Sequence, residues 1–181
     1  TLTRQLAGMS AGRAASGESR SLALTFEYAY AVLACLIGAA LALAAPLVSA
    51  HWVNLNTLAP DEVGFSLQLA AASLALSWPA NLYSAGLAGL HRQAGLAIST
   101  ALLAIMRVAL AVLFLWRTPT LEAFFWSQLL SSVIQSTAMR VQLWRALPGG
   151  PTPRLNWNLL LQTWRFSGGM TAITITGILL T

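Results

Sequence analysis

The sequence predicts an all-α polytopic membrane protein with five transmembrane helices, and three observations predict it. Hydrophobic residues make up 57% of the 181-residue chain and charged residues only 8%, where an average soluble chain carries roughly 25% charged residues. Mean hydropathy is +0.68. The apolar stretches also come in lengths that match the ~20 residues needed to cross about 30 Å of hydrocarbon. A soluble globule must cover its surface with charge, which this composition does not supply, so a soluble enzyme or binding domain is excluded.

The stretches follow one another closely. The first covers residues 27–52, with a charge-free core at 31–45. A loop at 53–62 with Asn54, Asn56, Pro60, Asp61 and Glu62 leads to the second, 63–90. His91-Arg92 alone joins it to the third, 93–116, and Arg117-Thr118-Pro119 joins the third to the fourth, 120–145. The fifth begins between 155 and 166 and runs to the end. The connection before it reads Pro148-Gly149-Gly150-Pro151-Thr152-Pro153. Such a run cannot continue a helix, so it is a linker and the expected boundary between two helical bundles. No initiator Met opens the sequence, and it stops inside the apolar run Gly177-Ile178-Leu179-Leu180-Thr181. It reads as a piece of a longer membrane protein.

The net charge of +5 rests on ten basic residues, all of them Arg. They are scattered and separated by membrane-length apolar runs, which fits loop charge at a membrane better than a nucleic-acid partner. With helices alternating, Arg4, Arg13, Arg20, Arg92, Arg140, Arg145 and Arg154 fall on one side and Arg117 on the other, while Arg107 and Arg165 lie within helical stretches. That asymmetry puts the N-terminal segment in the cytoplasm. Trp52, Trp116, Trp144 and Trp157 lie at helix ends, where an aromatic belt belongs; Trp126 and Trp164 lie near an end, and Trp78 is deep. A lone cysteine, Cys35, forms no intrachain disulfide or metal cluster and reads as a small buried side chain.

Arg107 is the strongest functional signal. It sits near the middle of the third helix, where an Arg costs about 2.5–3.5 kcal/mol to insert, so it faces a protein interior or a wet cavity. It binds an anionic group there, pairs with a polar group on another helix, or snorkels toward the interface. Polar stripes come second. Ser66, Ser73, Ser77, Asn81 and Ser84 recur on the second helix; Gln128, Ser131, Ser132, Gln135, Met139 and Gln142 share a face of the fourth; Thr163, Ser167, Thr171 and Thr174 share one of the fifth. Ser99 and Thr100 lie two turns from Arg107. Together the stripes line a hydrophilic cavity or make interhelical hydrogen bonds worth about 0.6 kcal/mol each. Candidate binding residues are therefore Arg107, Gln128, Gln135, Asn81 and Ser77. Pro79 removes the hydrogen bond to the Ala75 carbonyl and is the candidate kink or hinge. Gly86, Gly89, Gly168 and Gly169 permit close helix packing.

Glu27 falls at a membrane boundary and no carboxylate lies deep in any predicted helix, so an acidic proton relay is not expected here. His51 and His91 are far apart in sequence and belong to no ligand cluster. No nucleophile–base pair, glycine-rich phosphate loop or carboxylate pair is present. No enzyme activity, cofactor or metal is expected.

The second helix and its turn read Leu82-Tyr83-Ser84-Ala85-Gly86-Leu87-Ala88-Gly89-Leu90-His91-Arg92-Gln93; the fourth begins Phe124-Phe125-Trp126-Ser127-Gln128-Leu129, and the last stretch holds Trp164-Arg165-Phe166-Ser167-Gly168-Gly169-Met170. This pattern resembles the polysaccharide biosynthesis (O-antigen) flippases, of the superfamily that includes the multidrug MATE exporters and the lipid II flippases. Thr1-Leu2-Thr3-Arg4-Gln5-Leu6-Ala7 resembles the end of that family's second helix. The resemblance implies a two-lobe MATE-like transporter, with residues 1–147 the end of the second helix and the third to sixth helices of the N-terminal lobe, 148–154 the interlobe linker, and 155–181 the start of the C-terminal lobe. Residues 155–165 then include an amphipathic segment on the cytoplasmic face.

The resemblance further implies translocation of undecaprenyl-diphosphate-linked oligosaccharide across the bacterial cytoplasmic (inner) membrane by alternating access. Arg107 is then the expected contact for diphosphate or acidic sugar. The implied partners are the lipid-linked oligosaccharide, the bilayer, and the polymerase and glycosyltransferases of the same surface-polysaccharide assembly, with no nucleic acid. Two alternatives stay open: a cation-coupled drug or small-molecule exporter of the same fold, and a non-transporting membrane subunit of a glycan-assembly complex.

Overall fold

The computed structural model describes residues 16–51 and 60–148, with 152, 153, 155 and 157. Four α-helices make up these residues: α1 (Ser16–His51), α2 (Pro60–Gly89), α3 (Gln93–Arg117) and α4 (Leu121–Ala146). The fifth predicted helix, with Arg165 and the Thr163–Thr174 stripe, lies outside the described residues, as do Arg4, Arg13, Arg154 and most of the Pro/Gly linker.

Three helices are long and apolar enough to cross a membrane, over Ser19–Ser49, Glu62–Gly89 and Gln93–Arg117. At 1.5 Å per residue the shortest is about 38 Å long, more than the ~30 Å hydrocarbon core. α4 is as long but much more polar, because Glu122, three Gln, a series of Ser, Arg140 and Arg145 fall along it. Its composition alone does not mark it as a span.

Two boundaries differ from the sequence reading. α1 begins well before Glu27, because Leu22, Ala23 and Phe26 continue the helical spacing upstream and bury themselves against α2 and α4. Pro60, Asp61 and Glu62, read as loop, form the first turn of α2. Proline lacks an N–H that this position leaves unbonded anyway, and acidic residues suit a helix N-terminus.

The turns are tight. After α2, His91 takes the left-handed conformation at φ 56°. Arg92 N donates to Leu87 O at 3.2 Å and His91 N to Ala88 O at 3.2 Å, the paired bonds of a Schellman stop. Thr120 caps α4 by accepting from Ala123 N at 3.2 Å. These short connections make consecutive helices antiparallel, so α2 and α4 run parallel.

α2 is central. It packs extensively on both α1 and α4, while α3 packs mainly on α4. The core lies at one end of the bundle, where Leu22 and Phe26 of α1 meet Leu82 and Leu87 of α2 and Met139 and Leu143 of α4. Arg20, Arg92, Arg140 and Arg145 belong to this end, and Arg117 closes α3 at the other.

The outward faces carry large apolar side chains. Leu36, Leu43, Ile98, Leu102, Ile105 and Val112 are all exposed, and α3 has no fully buried residue. In water this surface would aggregate; in lipid it is the expected exterior of a membrane-embedded bundle. Cys35, expected to be buried, is exposed on α1 beside Leu36. An apolar environment in a bilayer does not require burial in protein.

Candidate functional site

α3 divides into two faces. Leu96, Ser99, Leu103, Met106, Arg107, Leu110 and Phe114 are half-buried and recur every three or four residues, which places them along one side. The opposite side is exposed. Since α3 packs mainly on α4, the half-buried stripe is the α4-facing one, and Arg107 belongs to it. The Arg107 Nε is buried with no hydrogen-bond partner among the described residues. A buried, unpartnered guanidinium N–H leaves its desolvation uncompensated, on the order of 1–3 kcal/mol.

Gln142 Nε2 of α4 donates to Ser99 Oγ of α3 at 2.6 Å, which fixes the antiparallel register. Arg107 lies eight residues beyond Ser99 and Gln135 seven before Gln142, so the two stand at the same level to within about one residue rise. In the parallel α2–α4 pair, Gly86 lies against Leu143. Counting back nine and eight residues puts Ser77 of α2 level with Gln135. Arg107, Gln135 and Ser77 thus share one depth near the bundle's middle. Gln128 is half-buried two turns above Gln135, and Asn81 is exposed one turn below Ser77. Pro79 lies between Ser77 and Asn81 inside a helix that continues through it. Among the described residues no hydrogen bond joins any of these six to another.

Apart from Ser66, the serines of the α2 and α4 stripes bond within their own helices. Ser73 Oγ donates to Ala70 O, Ser77 Oγ to Leu74 O and Ser84 Oγ to Ala80 O, each at 2.8 Å. Ser127, Ser131 and Ser132, all buried, donate to Phe124, Ser127 and Gln128 carbonyls. Their donors are occupied within their own helices, which lets a polar sequence pack tightly. Gln128, Gln135 and Gln142 are different. Their amides are too long to bond back, and Gln142 already reaches across to α3.

A second polar cluster was not legible as a site in the sequence. Glu27 of α1 accepts from Tyr83 Oη of α2 at 3.1 Å and from Trp144 Nε1 of α4 at 3.2 Å, and forms an ion pair with Arg140 of α4. Arg20 stacks over the Trp144 ring at 5.7 Å. The Glu27 side chain is 15% exposed and that of Arg140 55%. Glu27 therefore lies about three turns inside α1, not at its start. Starting the first helix at Glu27 hid this; the upstream apolar residues Leu22, Ala23 and Phe26 were the available signal.

Among the described residues no cluster of His, Cys, Asp and Glu is arranged to hold a metal ion. Comparison with known protein families, curated proteins and solved structures returns no match to this chain.

Proposed function

We propose that the chain is part of a membrane transporter that flips an undecaprenyl-diphosphate-linked oligosaccharide from the cytoplasmic to the outer leaflet for surface-polysaccharide assembly. One observation carries the reading: at mid-depth on the α4-facing side of α3, Arg107 holds a buried guanidinium N–H with no partner among the described residues. A guanidinium in a low-dielectric setting calls for an anion, and its planar fork suits a diphosphate or carboxylate. Gln135 stands level with it and offers neutral donors and acceptors suited to sugar hydroxyls. The resemblance of residues 82–93, 124–129 and 164–170 to the O-antigen flippases supports a lipid-linked glycan over other anions. In this reading α4 crosses the bilayer as an inner helix, its polar face turned to its neighbours, and the arginine-bearing end lies in the cytoplasm.

The test is genetic. In the full-length protein, Arg107→Ala is expected to abolish polymer export with the protein still present in the membrane. Normal export by that variant would remove Arg107 from the mechanism.

A second reading, a cation-coupled exporter of the same fold, is favoured by Glu27. A carboxylate within a membrane-spanning helix is the group such coupling requires. Transport of an organic cation against a proton or sodium gradient, with no movement of lipid-linked glycan, would select it.

A further inference from the structure

We infer that Glu27 is the keystone of an ionic latch that holds the arginine-bearing end of the bundle closed. α1 and α4 each pack on α2 and have no extended packing on one another. Beside the apolar core they share and the stacking of Arg20 on Trp144, the directional polar bonds between them converge on one carboxylate. Arg140 and Trp144 of α4 and Tyr83 of α2 all donate to Glu27. Directional polar bonds of this kind form and break as units, whereas the α1–α2 and α2–α4 seams pack apolar and small side chains along their length. Glu27 and Tyr83 are mostly shielded, while half of the Arg140 side chain is exposed at the end where water enters.

Position supports the assignment. Tyr83 lies six residues before the end of α2 and Arg140 six before the end of α4, so the cluster sits about 9 Å inside the helix ends. The core side chains Leu22, Phe26, Leu87 and Leu143 lie within two turns of it and stay dry only while α1 remains against α4. Separating α1 from α4 here admits water to this end without disturbing the far end, where Ser49 lies against Gly64. The latch is a property of the bundle; its use as a gate rests on the transport reading above.

The experiment uses the purified full-length protein in detergent, in a Cys35→Ser background, with Ala23→Cys as the reporter and a water-soluble maleimide as the probe. Ala23 is 3% exposed and lies in the core one turn from Glu27, toward the arginine-bearing end. Glu27→Gln and Arg140→Gln are each expected to raise the labelling rate at position 23 roughly three- to tenfold, the range for losing one partly exposed polar pair. Arg140→Lys, which keeps the charge, is expected to stay near the parent.

A Val63→Cys reporter, 5% exposed at the far end, is expected to label at the parent rate in every variant. Unchanged labelling at position 23 in both Gln variants would overturn the latch, as would equal increases at both reporters, which signify general loosening. Should Glu27→Gln fail to fold, the Arg140→Gln and Arg140→Lys pair decides alone. The readout is independent of transport, so a latch that opens in a protein that moves no glycan would count against the flippase reading only.

Discussion

Replacing Gly38 by Ala tests the α1–α2 seam. A Cβ at Gly38 would stand 2.7 Å from the Ala75 Cβ. Carbon atoms prefer about 3.5–4.0 Å, so the helices must part by roughly 1 Å. Ala75 has no rotamer with which to yield, because its Cβ is fixed by the backbone. Overpacking of this kind costs about 1–3 kcal/mol. The gain in helix propensity from Gly to Ala returns about 0.5–1 kcal/mol, leaving a net loss of about 0.5–2 kcal/mol.

Two other glycines calibrate the effect. At Gly86 the Cβ would meet Leu143 Cδ1 at 2.8 Å, the mobile end of a side chain, so strain and propensity nearly cancel. At Gly95 nothing lies within 4 Å, so the propensity gain of about 0.5–1 kcal/mol stands alone. Unfolding in mixed micelles should therefore rank Gly95→Ala above the parent, Gly86→Ala near it and Gly38→Ala lowest. A Gly38→Ala protein as stable as Gly95→Ala would refute the close approach of α1 and α2.

Three further substitutions probe a strained turn and two buried hydroxyls. His91 holds a left-handed conformation at φ 56°, so His91→Gly is expected to raise stability by about 1 kcal/mol, and a lower thermal midpoint would contradict the Schellman turn. Ser66 is 0% exposed and its Oγ has no partner among the described residues. Ser66→Ala should therefore stabilise by about 1 kcal/mol, whereas Ser131→Ala, which only removes a bond within its own helix, should change stability by less than about 0.5 kcal/mol; the reverse order would show that Ser66 is bonded.

Much of the helical layout was legible in the sequence. The second to fourth helices fall within a few residues of their expected places, because the His91-Arg92 and Arg117-Thr118-Pro119 turns are local signals. α1 was misjudged at its start because Glu27 looks like a boundary when charge alone is read. Its partners Tyr83, Arg140 and Trp144 lie far along the chain, and nothing local announces them. Burial was hard to read for a related reason: Cys35 and Leu36 sit in the most apolar run yet face outward, since lipid replaces the protein core. Arg107 stood out because a charge at the centre of an apolar helix is costly wherever it points. That it shares a depth with Gln135 and Ser77 required the helix register, fixed by the Gln142–Ser99 bond and the Gly86–Leu143 contact.

Reconstitution tests whether Arg107 serves an anionic lipid-linked glycan. Full-length protein in proteoliposomes should move undecaprenyl-diphosphate-linked oligosaccharide between leaflets. Arg107→Ala should slow this at least about tenfold, and Arg107→Lys, which keeps the charge without the planar fork, should fall between. Movement by Arg107→Ala at the parent rate would contradict the account.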